Sequence, residues 1–278
     1  MPPSPRYGIA EWFGEPISLM QPSRRKELAQ AALGQIDPPA CPFRSSLKPC
    51  TKKGGVCSFR AGDGPVVILC PQRFDQNNIL PLWLAKIAGF QSIYIAREVS
   101  FMRSTDTERE AGRIDLVVSQ DNAASRWFGL EVQAVYFSGR GMTSDFQAML
   151  THDNLEPPPP TAIRRPDWRS SSAKRLMPQL QVKAPTLMRW GTKLAVAVDR
   201  PFFNSIGGPS PAPSQDLNDG DIVWLVPKMN DKYRLEPDHW EVLSLEVSSD
   251  KLLSAETVKR PDFEATLRLK LKALQETP

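Results

Sequence analysis

Two short apolar segments about fifteen residues apart constrain this chain more than anything else in it. They are residues 113–118 (Arg-Ile-Asp-Leu-Val-Val) and 128–134 (Phe-Gly-Leu-Glu-Val-Gln-Ala). Each reads as a strand. Strand side chains alternate faces, so Glu131 and Gln133 share one face and Val132 takes the other. If the two strands pair, Asp115 comes beside Glu131. Two facing carboxylates repel unless a cation lies between them. Mg²⁺ suits such a place, because it takes one or two carboxylates and keeps several waters. A metal-dependent nuclease site is built in this way. Acids at such offsets also occur on the solvated face of an antiparallel hairpin. Here, though, Asp115 interrupts an apolar strand, and residues 130–137 are apolar on both sides of the polar pair. Polar groups so placed need partners, and a cation is one.

The 278 residues suffice for one large domain or two small ones. Lys and Arg total 35 against 31 acids, a net charge of +4 that is compatible with a nucleic-acid partner. The two histidines, His152 and His239, argue against a His-rich zinc site and leave little room for a Ser-His-Asp triad. The N-terminal residues lack the apolar run of a signal peptide, and no run of eighteen apolar residues occurs. The expectation is a cytoplasmic protein without a membrane span. In that compartment clustered cysteines bind metal more often than they form disulfides.

Along the chain, within residues 23–36, Ser23 caps a helix that ends at Gly34. A second helix is expected over 76–90, with Ile79, Leu82, Trp83, Ile87 and Phe90 on one side and Pro81 near its start. Residues 92–95 read as a strand, as do 113–120 and 127–138, the last two joined by a loop at 121–125. Residues 155–178, rich in Pro, Arg and Ser, read as a semi-rigid extended loop. Strands follow at 192–199, 221–226 and 240–247, with a linker at 207–220 and a charged helix over 251–275. Strands interleaved with helices imply an α/β fold with a mixed sheet. Two regions are expected: 1–75 with the cysteines, and 76–278 as the core carrying the acids. Trp12, Trp168 and Trp190 read as core residues rather than base-stacking platforms.

All four cysteines, Cys41, Cys50, Cys57 and Cys70, fall within thirty residues in the spacing C-x8-C-x6-C-x12-C. Four thiolates can close a tetrahedral shell around zinc or iron. Gly54, Gly55, Pro42 and Pro71 suit tight turns around such an ion. The spacing contains no C-x2-C knuckle, and free structural cysteines or disulfides are the alternatives. A four-cysteine shell would be structural, since it leaves no open position for chemistry.

Taken in order, these residues resemble the NotI family of restriction endonucleases. Residues 9–14 (Ile-Ala-Glu-Trp-Phe-Gly) look like the family's opening segment. Cys41-Pro-Phe43, Cys50, Gly55-Val-Cys57 and Leu69-Cys-Pro71 resemble its four-cysteine site, which holds iron in that family. Ile114-Asp115 and Leu130-Glu-Val-Gln133 resemble its catalytic strands, and residues 181–205 and 221–226 are similar to the helix and strands that follow. The resemblance implies a PD-(D/E)xK nuclease core with an added metal-binding region. Gln133 stands where most of that superfamily has Lys, and the NotI branch itself has Gln. Glu98 aligns loosely with a further acid near the metals.

The implied activity is Mg²⁺-dependent cleavage of duplex DNA at a specific, G·C-rich palindrome by a homodimer. Asp115 and Glu131, with Glu98, would hold the ions, and Gln133 would orient the attacking water. Basic residues between 164 and 200 (Arg164, Arg165, Arg169, Lys174, Arg175, Lys183, Arg189, Lys193, Arg200) are candidate phosphate or guanine contacts, each also readable as a solvated charge. The alternatives are a non-catalytic, metal-stabilised DNA-binding protein and a nuclease of other specificity on the same core.

Overall fold

Two alternating strands make the centre of the molecule. In the computed structural model, which describes residues 6–44, 48–253 and 258–271, Leu194, Val196 and Val198 face one side of a sheet while Ala195 and Ala197 face the other. Ile222, Trp224 and Val226 likewise oppose Val223 and Leu225. Runs this apolar belong to strands buried on both faces. These are β10 (Lys193–Ala197) and β11 (Ile222–Met229), which pair in parallel.

β7 (Trp127–Val132) joins the other side of β10, also in parallel. β6 (Glu110–Ser119) and β5 (Tyr94–Arg103) then add antiparallel, and β12 (Leu235–Leu243) closes the far edge. The six-stranded order is β12-β11-β10-β7-β6-β5. One face is covered by α2 (Ile79–Ala88) through Leu80, Trp83, Leu84 and Ala88. The other is covered by α5 (Met177–Arg189), α6 (Arg200–Ser205) and α7 (Leu245–Leu253), which contribute Leu180, Ala184, Leu187, Phe202, Phe203 and Leu252. The result is the expected mixed α/β sheet between helical layers.

A separate four-stranded sheet, ordered β2-β1-β3-β4, holds the N-terminal region: β1 (Tyr7–Trp12), β2 (Glu15–Pro16), β3 (Val56–Ala61) and β4 (Val67–Ile68). It packs with α1 (Pro22–Ala32) and α3 (Thr143–Thr151) around Trp12, Leu28, Phe59, Phe146 and Met149. β8 (Phe137–Gly139) and β9 (Arg164–Pro166) form a two-stranded ribbon. No helix among the described residues is long and apolar enough to cross a membrane.

Several local expectations shift. α1 starts at Pro22, whose missing N–H and fixed φ suit a first turn, so Ser23 lies inside the helix and caps nothing. The helix does stop at Gly34, which takes φ 75°. Of the expected α2 face, Trp83 and Phe90 are buried and Ile79 and Ile87 pack half-buried against the same core, while Leu82 points outward and Leu80 and Leu84 point inward. The 92–95 strand extends to Arg103.

The stretch 155–178 is not all loop. Arg164 is buried against Asp145 in β9, Asp167 caps α4 (Trp168–Ser171) by accepting from the Ser170 N–H, and a π-helical turn leads into α5. The 240–247 strand ends at Leu243, where the backbone turns into α7. The C-terminal helix is α8 (Arg260–Lys270); the rest of 251–275 falls partly in α7 and partly outside the described residues. Trp12 is fully buried, and Trp168 is half-buried against Phe202. Trp190 instead is exposed, one face toward Trp127, because it follows the last turn of α5.

Asp199 links the layers. Its carboxylate accepts from the Phe202 N–H at the start of α6 (2.9 Å) and from the Ile68 N–H in β4 (2.6 Å). Burial pushes its pKa from 3.8 up to about 7, with the two N–H donors opposing. A folded pKa above the unfolded one contributes stability that is complete below about pH 4 and is lost as pH rises through 7. Asp199→Asn, which cannot ionise, should flatten the fall in urea-melt stability between pH 5 and 8 by on the order of a few kcal/mol. Parallel stability curves for the two proteins would count against the assignment.

Candidate active site

β6 and β7 pair antiparallel with Leu116 opposite Leu130 and Val117 opposite Gly129. One step further, the same register sets Asp115 against Glu131. The two acids are cross-tied: the Asp115 N–H donates to Glu131 Oε1 (3.3 Å), and the Val132 N–H donates to Asp115 Oδ2 (2.9 Å). Each carboxylate is therefore held by the backbone of the other's strand.

Gln133 lies just past the end of β7. Its backbone N–H still donates to Ala197 of β10 (3.0 Å), and its side-chain amide donates to the Ala134 carbonyl. On the other flank β5 pairs with β6 so that Arg97 faces Leu116 and Val99 faces Ile114, which sets Glu98 opposite Asp115. Glu98 is exposed and takes φ 52°, a left-handed conformation that costs a non-glycine residue about 1 kcal/mol or more.

Glu98, Asp115 and Gln133 line one cleft of about 760 Å³. Glu131 lies beneath its floor, 1% exposed. Burial, and then the neighbouring Asp115, push the Glu131 pKa up to about 7; Lys183 pulls the other way. Asp115 is also raised, chiefly by burial, against the Val132 N–H and Lys183. A site that resists holding two negative charges is one where added positive charge is favourable.

Cations rim the cleft. Arg44, Lys48 and Lys52 come from the cysteine loop, Arg175 from the turn before α5, and Arg97 from β5. Arg97 is paired with Asp75 (2.9 Å), and the Arg175 guanidinium lies 3.5 Å from the centroid of the Tyr136 ring. Of the basic residues between 164 and 200, Arg165, Arg169, Lys174, Arg175 and Arg189 are exposed. The others depart from the expected surface role. Arg164 and Lys183 are buried in ion pairs with Asp145 and Glu131, Arg200 pairs with Asp238, and Lys193 donates to the Gly220 carbonyl. Lys183 was hidden at the sequence level because Glu131 lies on a distant strand.

The four cysteines gather at one end of the N-terminal sheet. Leu69 and Cys70 donate backbone N–H groups to the Cys57 carbonyl (2.9 and 3.1 Å), and the Cys41 N–H donates to the Lys48 carbonyl (2.8 Å). None is in a disulfide. Burial raises the thiol pKa of Cys50, Cys57 and Cys70, and each of these three also feels other thiols of the group. Beneath them Arg73 lies 4.5 Å from the centroid of the Phe43 ring and pairs with buried Glu11 (2.9 Å), which also accepts from Ser58. Among the described residues no group of three or more His, Cys, Asp or Glu side chains converges closely enough to hold a metal ion. The expected four-cysteine shell is thus not formed as such, although its members are neighbours.

A family model for the restriction endonuclease NotI matches residues 24–238, which spans the cysteines, both acidic strands and α5. The chain belongs to the NotI restriction endonuclease family. A search of curated protein sequences gave no match. Family membership makes the chain a DNA-cleaving hydrolase of the type II restriction class.

Proposed function

We propose that this NotI-family endonuclease cuts both strands of duplex DNA at a specific site, using Asp115, Glu131 and Gln133, with Glu98 at the edge of the same cleft. The observation that carries the reading is the cross-tied Asp115–Glu131 pair at a cleft rimmed by cations. The donor set suits Mg²⁺: hard carboxylate oxygens, few enough to leave places for water and phosphate oxygens. Bound there, Mg²⁺ would supply Lewis-acid stabilisation of the phosphate and a more acidic water. The chain's own residues do the rest. Asp115, held by the Val132 N–H, presents its carboxylate to the cleft in a fixed orientation. Gln133 is neutral, so it orients the attacking water through hydrogen bonds rather than by charge. Arg44, Lys48, Lys52 and Arg175 hold the DNA backbone, where contacts position the duplex without reading sequence.

One Asp115–Glu131 pair cuts one strand, so a double-strand break calls for two chains. Two-fold symmetry of a homodimer then matches a palindromic site. The exposed arginines favour guanine N7 and O6 edges, hence a G·C-rich sequence. Cys41, Cys50, Cys57 and Cys70 are proposed to close on one structural iron or zinc ion. Soft thiolates suit either metal, and a cation offsets the burial that pushes three of the thiols up.

Asp115→Ala and Glu131→Ala should each lower the cleavage rate by at least about 100-fold, while duplex binding in Ca²⁺ is kept. Activity within tenfold of the parent in either variant would overturn the site. Sequencing the ends of a genomic digest gives the site read. Sedimentation with that duplex should show two chains per duplex, and one chain with nicked product accumulating would exclude the dimer. Folded protein should carry about one equivalent of iron plus zinc, lost along with stability in any single Cys→Ser variant. Less than half an equivalent in the parent would refute the metal.

A further inference from the structure

α5 brings a buried lysine to the carboxylate pair. Lys183 is 7% exposed. Its Nζ lies 2.6 Å from Glu131 Oε2 and donates to Gln179 Oε1 at 2.8 Å. Gln179 sits one turn earlier on the same helix face and lines the cleft. A continuous path therefore runs from Glu131 through Lys183 to the cleft wall. Lysine is among the residues least often buried, so its place under the floor calls for a reason beyond packing.

The strand beneath α5 is bare at one point. Gly129 lies two residues before Glu131, on the same strand face, and Leu187 lies one helical turn after Lys183. A Cβ on Gly129 would stand 2.8 Å from Leu187 Cδ2 and 3.4 Å from side chains of Ile114 and Leu194. The bare glycine leaves room for the Leu187 side chain, one turn along the helix from Lys183.

The charges agree with a functional reading. Asp115, Glu131 and Glu98 bring three carboxyl groups to the cleft or just beneath it. Arg97, the cation on β5, is taken by Asp75. Gln133, the residue next to Glu131 on its strand face, is neutral. A lysine kept for structure alone would be hard to account for, since a buried pair is generally no more stable than an apolar replacement of both partners.

We propose that Lys183 is a positioning residue for cleavage: it fixes the Glu131 carboxylate beside Asp115 and supplies from helix α5 the positive charge that Gln133 does not. The proposal rests on the reading of Asp115 and Glu131 as the cleavage pair.

The test uses the full-length chain and a duplex carrying the site read from the parent's digestion products. Single-turnover cleavage is compared for the parent, Lys183→Met and the double variant Lys183→Met/Gln133→Lys, which returns a lysine from the strand. Duplex affinity in Ca²⁺ and thermal unfolding are measured on the same samples. Lys183→Met should cut on the order of 100-fold more slowly, as for loss of one preorganised charged donor, with duplex affinity within about threefold of the parent. The double variant should regain at least tenfold of that loss, which a merely structural role would not produce. A loss under tenfold in folded Lys183→Met, or a folded double variant no faster than the single one, would overturn the proposal. If Lys183→Met does not fold, the double variant decides alone: folded with cleavage within tenfold of the parent supports the role, and any other result rejects it. Asp115→Ala separates the two readings. If it is inactive while folded Lys183→Met is fully active, only the lysine's role fails; if it cuts normally, the site itself fails.

Discussion

A one-residue slip of β6 against β7 would part the two acids on which the candidate site is built. Side chains alternate with period 2, so such a slip sends Asp115 to the opposite face from Glu131. The pairing of Leu116 with Leu130 and Val117 with Gly129 prevents it, because Leu116 and Leu130 both enter the core under α2 while Gly129 lies under α5. The two carboxylates then add cross-strand hydrogen bonds of their own in the same register. Core packing and site geometry thus select a single alignment, and neither can change without the other.

The helical layers set the surroundings of that pair. α2 covers one face through a continuous apolar stripe and carries no site residue. α5 covers the other and brings both Leu187 and Lys183 to the β7 face that holds Gly129 and Glu131. Its own course is unusual: a π-helical turn precedes it, and Pro178 and Pro185 fall within it. Proline in a helix interior removes a backbone hydrogen bond. The helix persists because Leu176, Leu180, Ala184 and Leu187 are buried along one side, which shows tertiary packing overriding local preference.

This explains what could be read from sequence and what could not. The strands with Asp115 and Glu131, the loop between them, and the strands expected at 192–199 and 221–226 were legible because short apolar runs rich in β-branched residues are a local signal. Arg164, α4 and the start of α5 were not, because they lie in a Pro- and Arg-rich stretch whose order comes from partners elsewhere, such as Asp145 on α3. Lys183 looked like one surface cation among nine, since its partner lies on a strand more than fifty residues earlier. Glu98 was placed only loosely by motif. The β5–β6 register puts it opposite Asp115, and its positive φ leaves no trace in sequence, since glutamate is an uncommon choice there. On α2 the pattern places Ile79, Trp83, Ile87 and Phe90 against the core and misses only Leu82, because both Leu80 and Leu82 fit a helical apolar stripe and the sheet beneath chooses between them.

Electrostatics ties these pieces together. Two adjacent carboxylates in a poorly solvated place cannot both ionise cheaply, and the upward shifts of Glu131 and Asp115 express that cost. A chain can relieve it by losing a proton-bearing site, by separating the acids, or by adding positive charge. Losing one acid or parting the two would remove the pair on which the cleavage reading depends. Positive charge is what this fold adds, first as Lys183 from below and then as a ring of arginines and lysines around the cleft above. On the proposed reading the divalent ion and the DNA phosphate complete the same balance: the ion supplies the charge the acids lack, and the rim holds the phosphate the ion must meet. Burial separates the two kinds of cation. Lys183 is internal and held by Glu131 and Gln179, whereas Lys48, Arg97 and Arg175 on the rim are exposed, so the charge beneath the acids is fixed more firmly than the charge around the cleft mouth.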